Sequence, residues 1–208
     1  MNPTPELGPR LDYIFALVCQ AQERCSALGA TSIGSYQRVW DCCCDHGYLG
    51  MHMLNHSVPG TVCFVDQVPH ITQKLSQALS DFNAGDYEIY TNDVGSLDFS
   101  PEERHLVIVA GVTGTNVITI MSAVLDKLAL NQSGGRNVDF ILCPTRGAYE
   151  VRRFLRSQFF GLIHEQIVSE NQRQYEVVYV RQVQDSVSGD KISAVGGMWE
   201  QNNAEHFQ

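Results

Sequence analysis

Arg38-Val39-Trp40-Asp41-Cys42-Cys43-Cys44-Asp45-His46-Gly47-Tyr48-Leu49 begins as a short run without polar alternation and ends in an acid-rich turn. Such runs suit a central parallel strand buried on both faces. Residues 47–56 then read as a short helix. The same order repeats on either side. Upstream, Leu11, Ile14, Phe15, Val18 and Cys19 recur at helical spacing and predict an amphipathic helix over 10–28, which Gly29 can stop. Downstream, TVCFV at 61–65 predicts a second strand ending at Asp66, and 68–82 a helix. Residues 87–90 read as a third strand, HLVIVA at 105–110 as a fourth, 115–130 as a long helix, VDFILC at 138–143 as a fifth strand and 149–157 as a helix. Two extended runs, 162–168 and 175–183, close the pattern around a polar loop at 169–174. Within the second run, YEVVYV is strongly β-prone.

Strands alternating with helices imply a parallel sheet covered on both faces. The last two strands lie too close in sequence for a helical crossover, so they predict an antiparallel hairpin. The expected fold is therefore α/β and Rossmann-like: a mostly parallel seven-stranded sheet with an antiparallel C-terminal hairpin. This resembles the plan of class I methyltransferases rather than the six-strand plan of dehydrogenases. The domain is expected to occupy residues 1–183. Residues 184–208 form a polar tail, of which Ser193–Trp199 can pack one turn onto the domain.

The chain has 208 residues, 44% of them hydrophobic and 18% charged, which is globular stock. No apolar run approaches the roughly 20 residues that span a bilayer. The start, MNPTPELGPRLDYIF, carries no basic segment leading into an apolar one, so a cytoplasmic protein without a membrane partner is expected. Seven cysteines are an odd number, and three are consecutive. That spacing makes no CxxC pair, so reduced, buried thiols and no metal are expected. The net charge of −9 disfavours a long nonspecific grip on DNA or RNA. The basic residues are nevertheless clustered, with 7 Lys and Arg against 5 Asp and Glu in residues 136–181.

In open α/β sheets, ligands bind beyond the carboxyl ends of the strands, where strand order reverses. The residues there are the candidates. Asp41 and Asp45 follow the first strand with His46, and only Gly47 there lets backbone approach a ligand. A pyrophosphate cradle, which needs GxGxxG, is absent. Two acids suit a cationic, phosphate-free ligand such as S-adenosylmethionine; alternatively, Asp45 only caps the next helix. Asp66, with Gln67 beside it, can accept ribose hydroxyls or be a plain loop acid. Asn92 and Asp93 can meet an adenine ring or form an ordinary turn. Ala110, Gly111 and Gly114 permit a flat substrate to come close, or serve a tight turn. Arg146, Arg152, Arg153 and Arg156 are the basic concentration. Arg152 and Arg156 are four apart and predict a shared helix face suited to phosphates, or a merely solvated face.

Asp41–Leu49 resembles the D-I-G-(S/C)-D-H-(A/G)-Y-L segment of the bacterial tRNA adenine-22 N1-methyltransferase family. Val107–Gly114 is similar to that family's I-x-I-A-G-M-G-G. Leu142–Thr145 followed by Val151–Leu155 is similar to L-Q-P-N followed by L-R-x-W-L. Glu170 with Tyr175-Glu176 resembles the closing E-x-x-x-x-Y-E. The resemblance implies S-adenosylmethionine as donor and tRNA as partner and methyl acceptor. By position it implies Asp41, Cys43, Asp45 and Gly47 at the methionine end of the donor. Asp66 and Gln67 would then hold the ribose, Asn92 and Asp93 the adenine, and Ala110 and Gly111 the neighbouring wall. Asp45, His46 and Tyr48 would face the target base as catalytic residues. Gly114, Arg146, Arg152 and Arg156 would face the RNA. Cys43 stands where the family has glycine, and the family's coiled-coil extension is missing. Two other readings stay open: a methyltransferase for a small molecule or protein, and a non-catalytic nucleoside- or RNA-binding relative.

Overall fold

The computed structural model describes residues 6–27, 35–80, 85–130, 137–183 and 190–197. Helix α1 (Pro9–Ala27) precedes strand β1 (Arg38–Cys42), and α2 (Tyr48–Asn55) follows it. Then come β2 (Thr61–Asp66), α3 (Pro69–Ser80) and β3 (Tyr87–Thr91). After a single 3-10 turn at Val94–Ser96 the order is β4 (His105–Ala110), α4 (Gly114–Leu130), β5 (Val138–Cys143) and α5 (Ala148–Ser157). The hairpin is β6 (Phe160–Glu170) with β7 (Arg173–Gln182), and β8 (Asp190–Lys191) ends the described chain. The spatial order is β3-β2-β1-β4-β5-β7-β6-β8. The first five strands run parallel, and β7, β6 and β8 pair antiparallel. The sheet thus carries the seven expected strands plus a two-residue eighth.

Neighbouring residues on a strand point to opposite faces, and both faces are covered. Trp40 and Cys42 of β1 pack with Val117, Met121 and Val124 of α4 and with Val151 and Leu155 of α5. Val39 packs on the other side with Ile14 and Leu17 of α1, Met53 and Leu54 of α2, and Leu75 of α3. Ile192 is also buried on the domain, and the Gly197 N–H reaches Glu165 at 2.8 Å. The expected turn at 193–199 is therefore partly visible; 184–189 and 198–208 lie outside the described residues.

The polar run 169–174 is not a loop. Strand pairing continues to Glu170 opposite Arg173, and only Asn171 and Gln172 turn. Both have positive φ, 50° and 61°, the geometry of a two-residue hairpin turn whose twist matches its strands.

Polar side chains gather at the strand starts. Asp139 of β5 is wholly buried and takes Arg181 Nε at 2.7 Å, Arg104 Nη2 at 3.0 Å and the Tyr36 hydroxyl. These partners come from the entries to β1 and β4 and from β7, so one carboxylate locks the lower end of the sheet. Removing one member of a buried pair leaves the others uncompensated, at about 3–5 kcal/mol. Asp139→Ala should lower unfolding free energy in urea by about that amount. Asp98→Ala, which removes the exposed Lys127–Asp98 pair at 3.0 Å, should cost under about 1 kcal/mol.

Candidate functional site

Strand order reverses between β1 and β4, and two adjoining cavities open above their carboxyl ends. One, about 370 Å³, lies over β2 and β3 and is walled by Asp66, Gln67, Asn92, Asp93 and, from α4, Asn116 and Thr119. The other, about 310 Å³, lies between β1 and β4 and is walled by Asp41, Asp45, His46, Tyr48, Ala110, Gly111 and Arg10. Cys43 and Val112 line both, so they form the partition.

The turn after β1 sets this geometry. Cys43, Asp45 and Gly47 all have positive φ, at 57°, 48° and 69°. The winding is held to β2 by Cys44 N–H on the Val65 carbonyl at 3.2 Å and Asp45 N–H on Asp66 at 3.4 Å. The second carboxylate oxygen of Asp66 accepts the Val68 N–H at 2.9 Å, which fixes the acid at the cavity wall. Asp45 does not cap α2. Gly47 occupies that position, and Asp41 reaches up from β1 to accept the Gly50 N–H at 3.1 Å. The Asp45 and His46 side chains are each 66% exposed and are 2.8 Å apart. The His46 and Tyr48 rings stand 5.3 Å apart at the mouth. Asp93 does cap a turn, accepting the Gly95 N–H at 2.8 Å, and lines the cavity as well.

Three sequence expectations need correction. Gly47 lines neither cavity; a Cβ there would come within 2.5 Å of Leu75, so packing on α3 and the left-handed backbone demand the glycine. Gly114 is buried with a Cβ position 2.4 Å from the Gly147 carbonyl, so it serves the contact between two loops rather than an RNA surface. Arg152 is 1% exposed and lies between Glu165 and Glu176, at 2.7 Å from each. It pins α5 to the hairpin and has no face for a phosphate. Arg146, Arg153 and Arg156 are exposed.

Sequence reasoning missed Arg10, Asn116 and Thr119. The latter two sit i, i+3 in the first turns of α4, on a shared helix face, a spacing legible in the sequence. Arg10 gives no local signal, because its partner Glu170 is 160 residues away.

The donor set fits a nucleoside carrying a cationic amino-acid tail: acids at the ends of β1 and β2, polar groups after β3, and a glycine, Gly111, where backbone meets the cavity. The thiols are inert at neutral pH. Burial and the nearby Asp66 and Asp41 push Cys43 up to about 11, and Cys44 is raised in the same way.

A family model described as a methyltransferase domain matches residues 22–178. The tRNA (adenine(22)-N(1))-methyltransferase of Bacillus subtilis is 27% identical over 157 residues, 74% of this chain. The chain spans 62% of that relative's length. A Streptococcus pneumoniae protein solved in complex with S-adenosyl-L-methionine superposes with a TM-score of 0.66 at 19% identity, over 88% of this chain and 77% of that one. The solved tRNA methyltransferase of B. subtilis gives a TM-score of 0.66 at 17% identity, over 89% of this chain and 68% of that one. At these identities the likeness to solved structures is one of fold.

Burial pushes the Asp41 carboxyl up to about 7 from an ordinary 3.8, against the opposing pull of the Gly50 N–H. Native Asp41 thus keeps a proton that the unfolded chain releases at lower pH. Its contribution to stability is full below the unfolded value and is lost as pH rises through the folded one, at about 1.4 kcal/mol per unit. Asp41→Asn keeps a neutral acceptor for Gly50. Urea melts at a series of pH values should show the variant gaining on wild type from pH 5 to about pH 7 and levelling off above it.

Proposed function

The chain belongs to the methyltransferase-domain family, and from that membership we propose that it moves a methyl group from S-adenosylmethionine to N1 of an adenine in tRNA. The observation that carries the donor assignment is the pair of adjoining cavities with carboxylates at the ends of β1 and β2. The likeness over 74% of the chain to a tRNA methyltransferase supports the acceptor.

S-adenosylmethionine supplies a methyl group on a cationic sulfur, and adenine N1 offers a neutral lone pair, so no strong base is needed. The chain's task is placement, with reacting atoms brought to about 3–3.5 Å. Asp66 holds the ribose hydroxyls with its orientation fixed by the Val68 and Asp45 amides. Gln67, Asn92 and Asp93 surround the adenine of the donor, and Asp41 faces its ammonium group. His46 and Tyr48, exposed at the mouth, stack on the target base once it leaves its own stack. Asp45 accepts a hydrogen bond from that base's amino group as the ring gains positive charge. Arg146, Arg153 and Arg156 supply the phosphate contacts open to an RNA.

The test is methyl transfer from labelled S-adenosylmethionine to unmodified tRNA, with the product nucleoside identified by mass spectrometry. The expected product is 1-methyladenosine. Asp45→Ala should abolish turnover; undiminished transfer would remove the role given to Asp45. Donor binding with no transfer to any tRNA would send the acceptor search to small molecules and proteins.

A further inference from the structure

Arg10 stands at the start of α1 and lines the cavity that also holds Asp41 and Asp45. It is held from behind by two residues, Glu170 and Tyr175. Glu170 accepts its backbone N–H at 3.2 Å and its Nε at 3.4 Å. Its guanidinium carbon sits 5.0 Å from the centre of the Tyr175 ring. The front is different. Nη1 is closed off from solvent and bonded to no protein atom. It lies 3.8 Å from where a Gly111 Cβ would be, so the Gly111 backbone borders it at the cavity wall. The adjacent Cys143 thiol is a weak hydrogen-bond partner of the guanidinium and gives no counter-charge, since burial keeps it neutral at about 11 despite the cation beside it.

A guanidinium donor shut off from water and left without an acceptor is costly. The Arg10 side chain as a whole is 16% exposed and lines the cavity, so a ligand there can supply a further acceptor to the guanidinium. The charge pattern says which ligand group. Arg10 is the one permanent cation in a wall that holds two carboxylates, Asp41 and Asp45. An amino-acid tail carries one positive and one negative group and matches that wall.

We infer that Arg10 binds the α-carboxylate of the methionine tail of the donor, with Glu170 as its positioning residue. The inference rests on the donor reading above. It also gives a purpose to the Glu170 and Tyr175 pair. The far hairpin orients a side chain of the N-terminal helix toward the centre of the sheet, and so joins the two ends of the domain at the site.

The experiment compares binding, by calorimetry, of S-adenosylmethionine and its decarboxylated analogue, which keeps the sulfonium and ammonium groups. A charge-assisted hydrogen bond predicts that wild type prefers the carboxylated ligand by about 10–100-fold. Arg10→Met should lose that preference, with affinity for the decarboxylated ligand changing by less than about twofold, and Glu170→Gln should lose part of it. Equal binding of both ligands by wild type overturns the inference without any variant. So does an Arg10→Met protein that keeps the full preference, or one that weakens both ligands alike. Loss of tRNA binding in Arg10→Met with the ligand preference intact would place a nucleotide phosphate there instead, and also overturns it. If wild type binds neither ligand, the donor reading itself fails.

Discussion

Strands buried on both faces leave the chain only the strand ends for polar side chains. Four of the five parallel strands here meet that condition nearly throughout, the edge strand β3 being the exception: every residue of β5 is buried, as are five of six in β2 and β4 and four of five in β1. The two ends of the sheet answer the constraint in opposite ways. At the starts of the strands the charges neutralise one another. Asp139 is saturated by two arginines and a tyrosine, and Arg38 by Glu88 at 2.8 Å and Glu103 at 2.9 Å. The Trp40 indole donates to His105 Nδ1 at 3.1 Å, which leaves the ring's other nitrogen to donate to the Ser100 carbonyl at 3.0 Å. That end is closed. At the carboxyl ends of the parallel strands, Asp41, Asp45, Asp66 and Asp93 form no ion pair with arginine or lysine among the described residues and line cavities, which is where the chain retains capacity to bind.

Asp41 belongs to both regimes. It sits in β1 rather than beyond it, 6% exposed, and a lone backbone amide is its recorded partner. A carboxylate so placed is costly to ionise, so near neutrality it is poised between forms. A cationic group arriving in the cavity favours the charged form, and the energy withheld in the empty protein is recovered on binding. Arg10, across the same cavity, brings a permanent positive charge that Glu170 already meets on one side. The two groups are unsatisfied in complementary ways and share one cavity.

The α/β order was legible because each parallel strand is an apolar run followed by a polar turn, a signal that needs no partner to be read. Asp41, Asp45 and Asp66 were legible for the same reason, as acids stationed where strands end. What failed was whatever depended on distant residues. Arg152 looked like a solvated partner of Arg156 because helical spacing says nothing of Glu165 and Glu176, 13 and 24 residues further on. Gly47 looked like a ligand contact because Leu75, which fills the space over it, belongs to another helix. The polarity of 169–174 suggested a loop, whereas an edge-side hairpin that is only half-buried carries polar residues in strand without penalty.

The partition between the cavities brings these threads together. Cys43 and Asp45 hold a left-handed backbone that costs a non-glycine residue about 1–2 kcal/mol each. Such strain persists only where neighbours enforce it. Here the enforcing contacts are the hydrogen bonds to Val65 and Asp66 at the end of β2. Those same bonds orient the Asp66 carboxylate over one cavity, while the turn they hold presents Asp45 to the other. The strained turn is thus the element through which one strand end sets both halves of the site. A glycine at position 43 would keep the winding and remove the side chain that divides the cavities. The cysteine keeps the winding and narrows the passage between the two cavities, so a ligand spanning both would lie across a thiol that burial holds neutral and unreactive.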